Sequence, residues 1–423
     1  MLFPPMFCAT PLVLAALSGT GPIHHPGVVS PPFSRTTSPP PASGKGLWGS
    51  PLANQVSSDN FTIGWATGDG KTEDAERLLV VLEQAWTELV ETEDWPAPAS
   101  SETYLLWVIF DRSIGHTGYT TLLYDAEFPD GVPVVYLNPT YASYGTFWEH
   151  LAVHEFNHML QYAVRDWSGG ASEAWYWEAS AEWACELAVP ELDIYALQTT
   201  YYAEDPDLRF DTINGGHEYG MLVLNAWLEE HLLGPGGLRE VWLAAGERPD
   251  DDWIAILEDT TGWDAAQLWA GFSAALGNGT LREGALYEPP VDQGPLVEGG
   301  SGSLARLGTD YWTVETDTLV SVVGDAILGS PAGEGETVVA RAGEVLTVTA
   351  LEEDTTYSLT LAEVPAPTDT ADTADTGSPE EGQGIGCGCQ VSPALPRLEP
   401  VLVALGFLFS RRRCVAKPGA RRV

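Results

Sequence analysis

Residues 154–158 read His-Glu-Phe-Asn-His, and residues 177–183 read Trp-Glu-Ala-Ser-Ala-Glu-Trp. On an α-helix His154 and His158 stand one turn apart on one face, where both imidazoles can reach a single tetrahedral Zn2+. Glu155 lies beside them, off the ligand row and available as a base. In a chain with 8 His and 60 Asp+Glu, a His-(Asp/Glu)-x-x-His pattern arises by chance about 0.02 times. Taken alone the pattern also fits an ordinary amphipathic helix with two histidines; the carboxylates of Glu178 and Glu182 favour the metal reading.

Working outward, residues 147–165 read as the helix that carries the motif, Ser168-Gly169-Gly170 breaks it, and residues 173–187 form a second helix. Upstream, Phe61-Thr62-Ile63-Gly64-Trp65 suggests a strand near the start of order, followed by a helix over 72–91 with Leu78, Leu79, Val81, Leu82, Ala85, Trp86 and Leu89 as its apolar stripe. Residues 104–110 and 132–137 are strand candidates separated by a Gly-rich loop, and Pro133 marks the second as an edge strand. An edge strand just before the motif helix is placed to hold an extended peptide by main-chain pairing. Downstream, helical patterns run through 219–232, 238–245, 253–258 and 264–276. After Pro289-Pro290 the period changes to short alternating runs at 311–314, 319–323, 336–340, 345–350 and 357–361, the pattern of a small β-sandwich.

The chain has 423 residues and a formal net charge of -41, which excludes nucleic acid as a natural partner and disfavours anionic membrane surfaces. Its 44% hydrophobic content supports a substantial core. The five cysteines, Cys8, Cys185, Cys387, Cys389 and Cys414, give no disulfide framework, and Cys185 reads as a small buried hydrophobe on the second helix. Residues 6–17 resemble the apolar core of a signal peptide, although no Lys or Arg precedes them. Residues 21–51 are rich in Pro, Ser, Thr and Gly and read as disordered, and the Thr/Asp repeat over 368–377 reads as a solvated spacer.

The helix pair resembles the gluzincin metallopeptidases, the thermolysin and membrane alanyl aminopeptidase type, over roughly residues 60–276. That resemblance implies Zn2+ held by His154, His158 and Glu178. Glu182, one turn beyond Glu178, is placed to accept the second ring N–H of a ligand imidazole; the reverse assignment, Glu182 as ligand, is the alternative. His150 extends the same face, but about 12 Å of helical rise separates it from His158, so it reads as a structural residue or part of the pocket wall. The implied mechanism is attack of zinc-activated water on a peptide carbonyl, with Glu155 as general base. For the oxyanion donor the stretch Asn214-Gly215-Gly216-His217-Glu218-Tyr219-Gly220 offers His217, with Tyr219 as rival and a plain structural role for both as the third option. The Gly-x-Met-Glu-Asn element of the aminopeptidase type has no counterpart, which favours an endopeptidase over an aminopeptidase.

The C-terminus resembles the myxobacterial tripartite sorting signal in Cys387 and Cys389, the apolar run 401–409 and Arg411-Arg412-Arg413. The expectation is an α+β protein. A signal peptide (1–20) and a Pro-rich linker (21–58) precede a zincin-like domain with a mixed-sheet subdomain and a helical subdomain (59–290). A β-sandwich module (295–365), a Thr/Asp-rich linker (366–385) and a sorting or anchor tail (386–423) follow. The expected protein is exported, meets a peptide or protein substrate, and touches membrane only through its tail. The rival of another class is a catalytically silent surface binding protein of the same fold.

Overall fold

Strand pairing starts earlier than the composition suggests. The computed structural model describes residues 52–365 apart from 103, 124–130, 168–170 and 288. Asn54–Ser57 (β1) pairs antiparallel with Phe61–Trp65 (β2), so residues 54–58, expected in the linker, belong to the folded unit. The Ser58 N–H donates to the Phe61 carbonyl at 2.9 Å to close the hairpin, and the Ser57 and Thr62 hydroxyls meet at 3.0 Å across it. The expected signal peptide, the rest of the linker, the Thr/Asp spacer and the sorting tail lie outside the described residues.

Thr72–Ala85 (α1) follows and runs on as a π-helical turn, Trp86–Thr92. Three further strands complete the sheet: Leu106–Phe110 (β3), Gly118–Leu123 (β4) and Val132–Leu137 (β5). The order is β1-β2-β3-β5-β4; β2, β3 and β5 run parallel, and the two outer strands run antiparallel to their neighbours. This corrects the expectation for residues 132–137, which form an inner strand. Pro133 is tolerated there because pairing with β3 begins only at Val134, so its missing N–H lies outside that ladder. The edge is β4, inside the segment read as loop.

One face of the sheet, with Ile63, Val108, Val135 and Leu137, packs on Leu78 and Leu82 of α1 and Phe156 of the motif helix. That helix, Thr146–Val164 (α2), is buried almost all round between Trp148 and Gln161. A helix without a solvent face must find partners for its polar side chains inside the protein. Ala171–Ala188 (α3) lies beside it. Then come Tyr195–Glu204 (α4), His217–Gly220 (α5), Leu222–Leu228 (α6) with a π-helical turn Glu229–Leu233, Gly237–Glu247 (α7), Trp253–Thr261 (α8) and Ala265–Gly277 (α9). Asp252 caps α8 by accepting the Ala255 N–H, and Asp264 and Gln267 form a capping box on α9. Tyr176 and Trp177 of α3 pack on Trp253 and Trp242 at 4.4 and 5.0 Å between ring centres, which fixes α3 against α7 and α8.

The C-terminal part is a sandwich of two sheets. One has five strands: Asp292–Pro295 (β6), Thr309–Thr313 (β8), Ala326–Ser330 (β10), Gly333–Gly335 (β11) and Val345–Ala350 (β13). The other has four: Ser301–Leu304 (β7), Thr318–Val323 (β9), Thr337–Ala340 (β12) and Thr355–Ala362 (β14). Leu328, Leu346 and Val348 from the first meet Leu304, Val320 and Leu359 from the second in one core. The sandwich is seated on α9, where the Asn278 side chain donates to the Val345 carbonyl and accepts its N–H, both at 2.8 Å. Beside this the Tyr202 and Tyr311 hydroxyls lie 3.3 Å apart, Ser273 and Thr309 hydroxyls 3.1 Å, and Thr309 and Thr349 hydroxyls 2.9 Å. All described residues belong to one compact unit. Among them no helix is long and apolar enough to cross a membrane.

Candidate metal centre

Helical spacing sets the site. On α2, His150, His154 and His158 recur once per turn; on α3, Glu178 and Glu182 do the same. The two rows interleave: Glu178 reaches His158 and His154, and Glu182 reaches His154 and His150. Contacts that descend α2 while climbing α3 mean that the helices are antiparallel.

At the outer rung His154 Nε2 lies 3.1 Å from His158 Nε2 and 3.1 Å from Glu178 Oε2, and His158 Nε2 lies 3.7 Å from the same oxygen. Four donors placed about 2.0–2.1 Å from one zinc in a tetrahedron stand about 3.3 Å from each other, so these three atoms have the spacing of one ligand set. Among the described residues His154, His158 and Glu178 form a group whose donor atoms all converge within 4.8 Å. The ring nitrogens turned away from that point have polar neighbours as well. His158 Nδ1 donates to Gln161 Oε1 at 2.6 Å, an oxygen identified by the amide nitrogen's own acceptors: Asn157 Oδ1, the Trp177 carbonyl and Ser180 Oγ. Glu182 Oε1 lies 2.9 Å from His154 Nδ1, off the axis of a well-formed hydrogen bond. The His158 ring therefore carries an N–H on Nδ1, and both rings turn Nε2 inward; burial opposes a charge on His154, but the hydrogen bonds and charges of Glu178 and Glu182 raise its pKa above the usual imidazole range. Two imidazole nitrogens and a carboxylate oxygen facing one point are a donor set that a cation could take in place of a proton.

The charges follow from burial and neighbours. Burial pushes the Glu178 carboxyl up, yet the hydrogen bonds and charges of His154 and His158 outweigh it and hold the group down to about 2. Glu182 is likewise lowered, as His150 and His154 overcome its burial. Glu155 goes the other way: burial raises it above the ordinary carboxylate range against the pull of His158 and His154.

Glu155 is held by the edge strand. Thr120 Oγ1 lies 2.8 Å from Glu155 Oε2 and 2.8 Å from the Glu155 carbonyl, so the hydroxyl fixes both the side chain and the turn of helix behind it. Two residues earlier on β4, a Cβ on Gly118 would stand 2.8 Å from Leu137, 3.1 Å from the Tyr136 carbonyl and 3.3 Å from Glu155 Oε1. Glycine there lets strand and carboxylate approach. Neither residue is legible as functional in the sequence, although the β-branched pair in Gly118-Tyr-Thr-Thr-Leu-Leu123 is a strand signal. Gln161, three residues past His158 on the same helix face, is likewise found only in the structure.

The two oxyanion candidates part company. The Tyr219 ring lies 6.0 Å from the His154 ring, next to the ligand set. His217 packs its ring on Tyr202 at 5.6 Å instead, and none of its described contacts reaches the triad. Neither of its ring nitrogens has a hydrogen-bond partner among the described residues, and burial lowers its pKa to about 4. The intervening Glu218 explains the split: its carboxylate accepts the backbone N–H groups of Asn214, Gly215 and Gly216 at 2.9–3.2 Å, which winds the loop under α5. Cys185 is buried, with its Sγ 3.6 Å from the His150 carbonyl.

The model of a protein family described as "Family of unknown function (DUF6055)" matches residues 45–276, more than half of the chain, taking in the sheet and every helix through α9 but none of the sandwich. No curated protein matches the chain.

Proposed function

We propose a hydrolytic role for this chain, which belongs to the DUF6055 family of unknown function: a zinc-dependent metallopeptidase of gluzincin type, exported, acting as an endopeptidase and retained at the cell surface through its C-terminal tail. The observation that carries this reading is the convergence of His154 Nε2, His158 Nε2 and Glu178 Oε2, beside a buried carboxylate that is not one of the three. A mixed sheet with an antiparallel edge strand above the motif helix supports the zincin assignment. Zinc held by these three side chains would supply a Lewis acid that polarises a carbonyl and makes water nucleophilic near neutral pH.

The chain's own groups account for the remaining work. Glu155, raised by burial, takes a proton at Oε1 while Thr120 holds Oε2, then passes it to the leaving amine. Tyr219 is the donor best placed for the carbonyl oxygen as charge develops there; His217 acts behind it as packing. The outer edge of β4 offers main-chain groups to an extended peptide and brings it past Gly118 and Thr120 to Glu155. A surface binding protein that keeps this fold without chemistry has no need of a base held in this way.

The test is zinc content and peptide-library cleavage by the full chain and by Glu155→Gln. One zinc per chain in both, with cleavage only by the parent, is the expected result. Equal cleavage by both proteins removes the mechanism, and a folded chain that takes up no zinc and cleaves nothing leaves the binding-protein reading in its place.

A further inference from the structure

We propose that His150 is a positioning residue of the metal centre: it fixes Glu182, and Glu182 in turn holds His154 with its Nε2 turned towards the ligand set. This rests on the metal reading above. His150 lies one turn before His154 on α2, is only 3% exposed, and places Nε2 2.7 Å from Glu182 Oε2. The other oxygen of Glu182, itself 2% exposed, lies 2.9 Å from His154 Nδ1. His158, Glu178, His154, Glu182 and His150 thus form one continuous ladder between the two helices, with the ligand set at one end and His150 at the other.

The chemistry of the two ends differs. At the outer end two imidazole Nε2 atoms and a carboxylate oxygen converge on one point; at the inner end one imidazole faces one carboxylate oxygen. His150 cannot join the ligand set, because one turn of rise carries it about 6 Å further from His158 than His154 is. What it does instead is occupy Glu182 Oε2. A buried carboxylate with one oxygen unpaired is penalised and can rotate about its last bond to find another donor. Rotation of Glu182 withdraws Oε1 from His154 Nδ1, and the imidazole loses the neighbouring carboxylate that holds its orientation. The contact of the Cys185 thiol with the His150 carbonyl adds a second tie between α3 and this turn of α2.

The experiment measures zinc affinity of the full chain by competition with a chelating dye, together with the visible spectrum of the cobalt(II)-loaded protein, which reports ligand geometry. His150→Phe keeps a ring without a donor, and His150→Gln restores an N–H. The expected result is zinc bound about 10–100-fold more weakly by the Phe variant with an altered cobalt spectrum, and recovery of most of both in the Gln variant. Zinc-free melting curves establish that each variant is folded; if the Phe variant is not, His150→Met fills the same space with an apolar chain and answers the same question. Parent affinity and spectrum in a folded Phe or Met variant overturn the proposal, as does an equal loss in the Gln variant. A parent chain that binds no zinc is a different result: it removes the metal reading itself.

Discussion

Two of the polar clusters buried among the described residues are of opposite character. Between α2 and α3 the groups are ionisable, and at the outer rung two imidazole nitrogens and a carboxylate oxygen converge on one point. Between α9 and the sandwich the groups are neutral hydroxyls, Tyr202, Tyr311, Ser273, Thr309 and Thr349, each able to donate and accept. The hydroxyls of the second cluster partner one another. The first has the spacing of a cation site, so burial of polar side chains marks a fastening in one place and a candidate site in the other.

The sharpest way to break this contrast is chemical. Glu155→Gln is expected to lower kcat/KM for peptide cleavage by about 10²–10⁴-fold, the usual contribution of a general base, with zinc content unchanged. Tyr202→Phe in the seam is expected to leave both quantities at the parent value. Loss of zinc in the Gln variant shows instead that Glu155 belongs to the ligand set.

His217 stands between the two clusters, with its ring on Tyr202 and nearby Tyr219 beside His154. Its pKa is lowered to about 4 by burial, so a proton is taken up on unfolding at mildly acid pH. The neutral ring is at no disadvantage above the unfolded pKa of 6.5; stability is lost as pH falls from there towards 4, by about 3 kcal/mol in all. Denaturant unfolding of the parent and His217→Phe at pH 7 and pH 4.5 checks this. The parent loses more stability than the variant over that interval, and parallel losses show that His217 is solvated.

A packing test separates the sandwich from the site. A Cβ on Gly329 would stand 2.5 Å from the Ala270 carbonyl of α9, a backbone atom with no rotamer to yield. Gly329→Ala is expected to destabilise the chain by about 1–3 kcal/mol while zinc affinity holds. A drop in zinc affinity in the folded variant means that the seam reaches the ligands mechanically.

The two clusters also differ in how far the sequence reveals them. His154, Glu155, His158, Glu178 and Glu182 are legible because helical period is local: spacing alone puts them on two faces, and the flanking apolar residues bury those faces. Thr120 and Gly118 are hidden because they matter through strand register, which a partner strand decides. Pro133 misleads for the same reason, since its missing N–H falls outside the β3 ladder and leaves β5 free to be an inner strand. The different placement of His217 and Tyr219 depends on a loop wound by backbone N–H groups around Glu218, a geometry without a residue pattern. The sandwich is legible as alternating runs, yet β6, β7, β10 and β11, short or Gly-rich, emerge only from pairing. Its seat on α9 leaves no trace, because Ser, Thr and Tyr in a helix or strand read as ordinary surface until the opposing hydroxyl is known.

The smallest expected effect is the one that tests whether the seam is self-contained. Tyr202→Phe and Tyr311→Phe each remove one neutral hydroxyl and are expected to cost about 1 kcal/mol, since each leaves a buried partner short of one hydrogen bond. In the double variant the orphaned partner disappears with its mate, and a pair of apolar groups of the same shape is close to neutral. The combined loss, measured by denaturant unfolding at pH 7, is therefore expected to be smaller than the sum of the single losses. Strict additivity would mean that Ser273 and Thr309 satisfy each tyrosine independently, and the hydroxyls would then be separate pegs along the seam rather than a closed network.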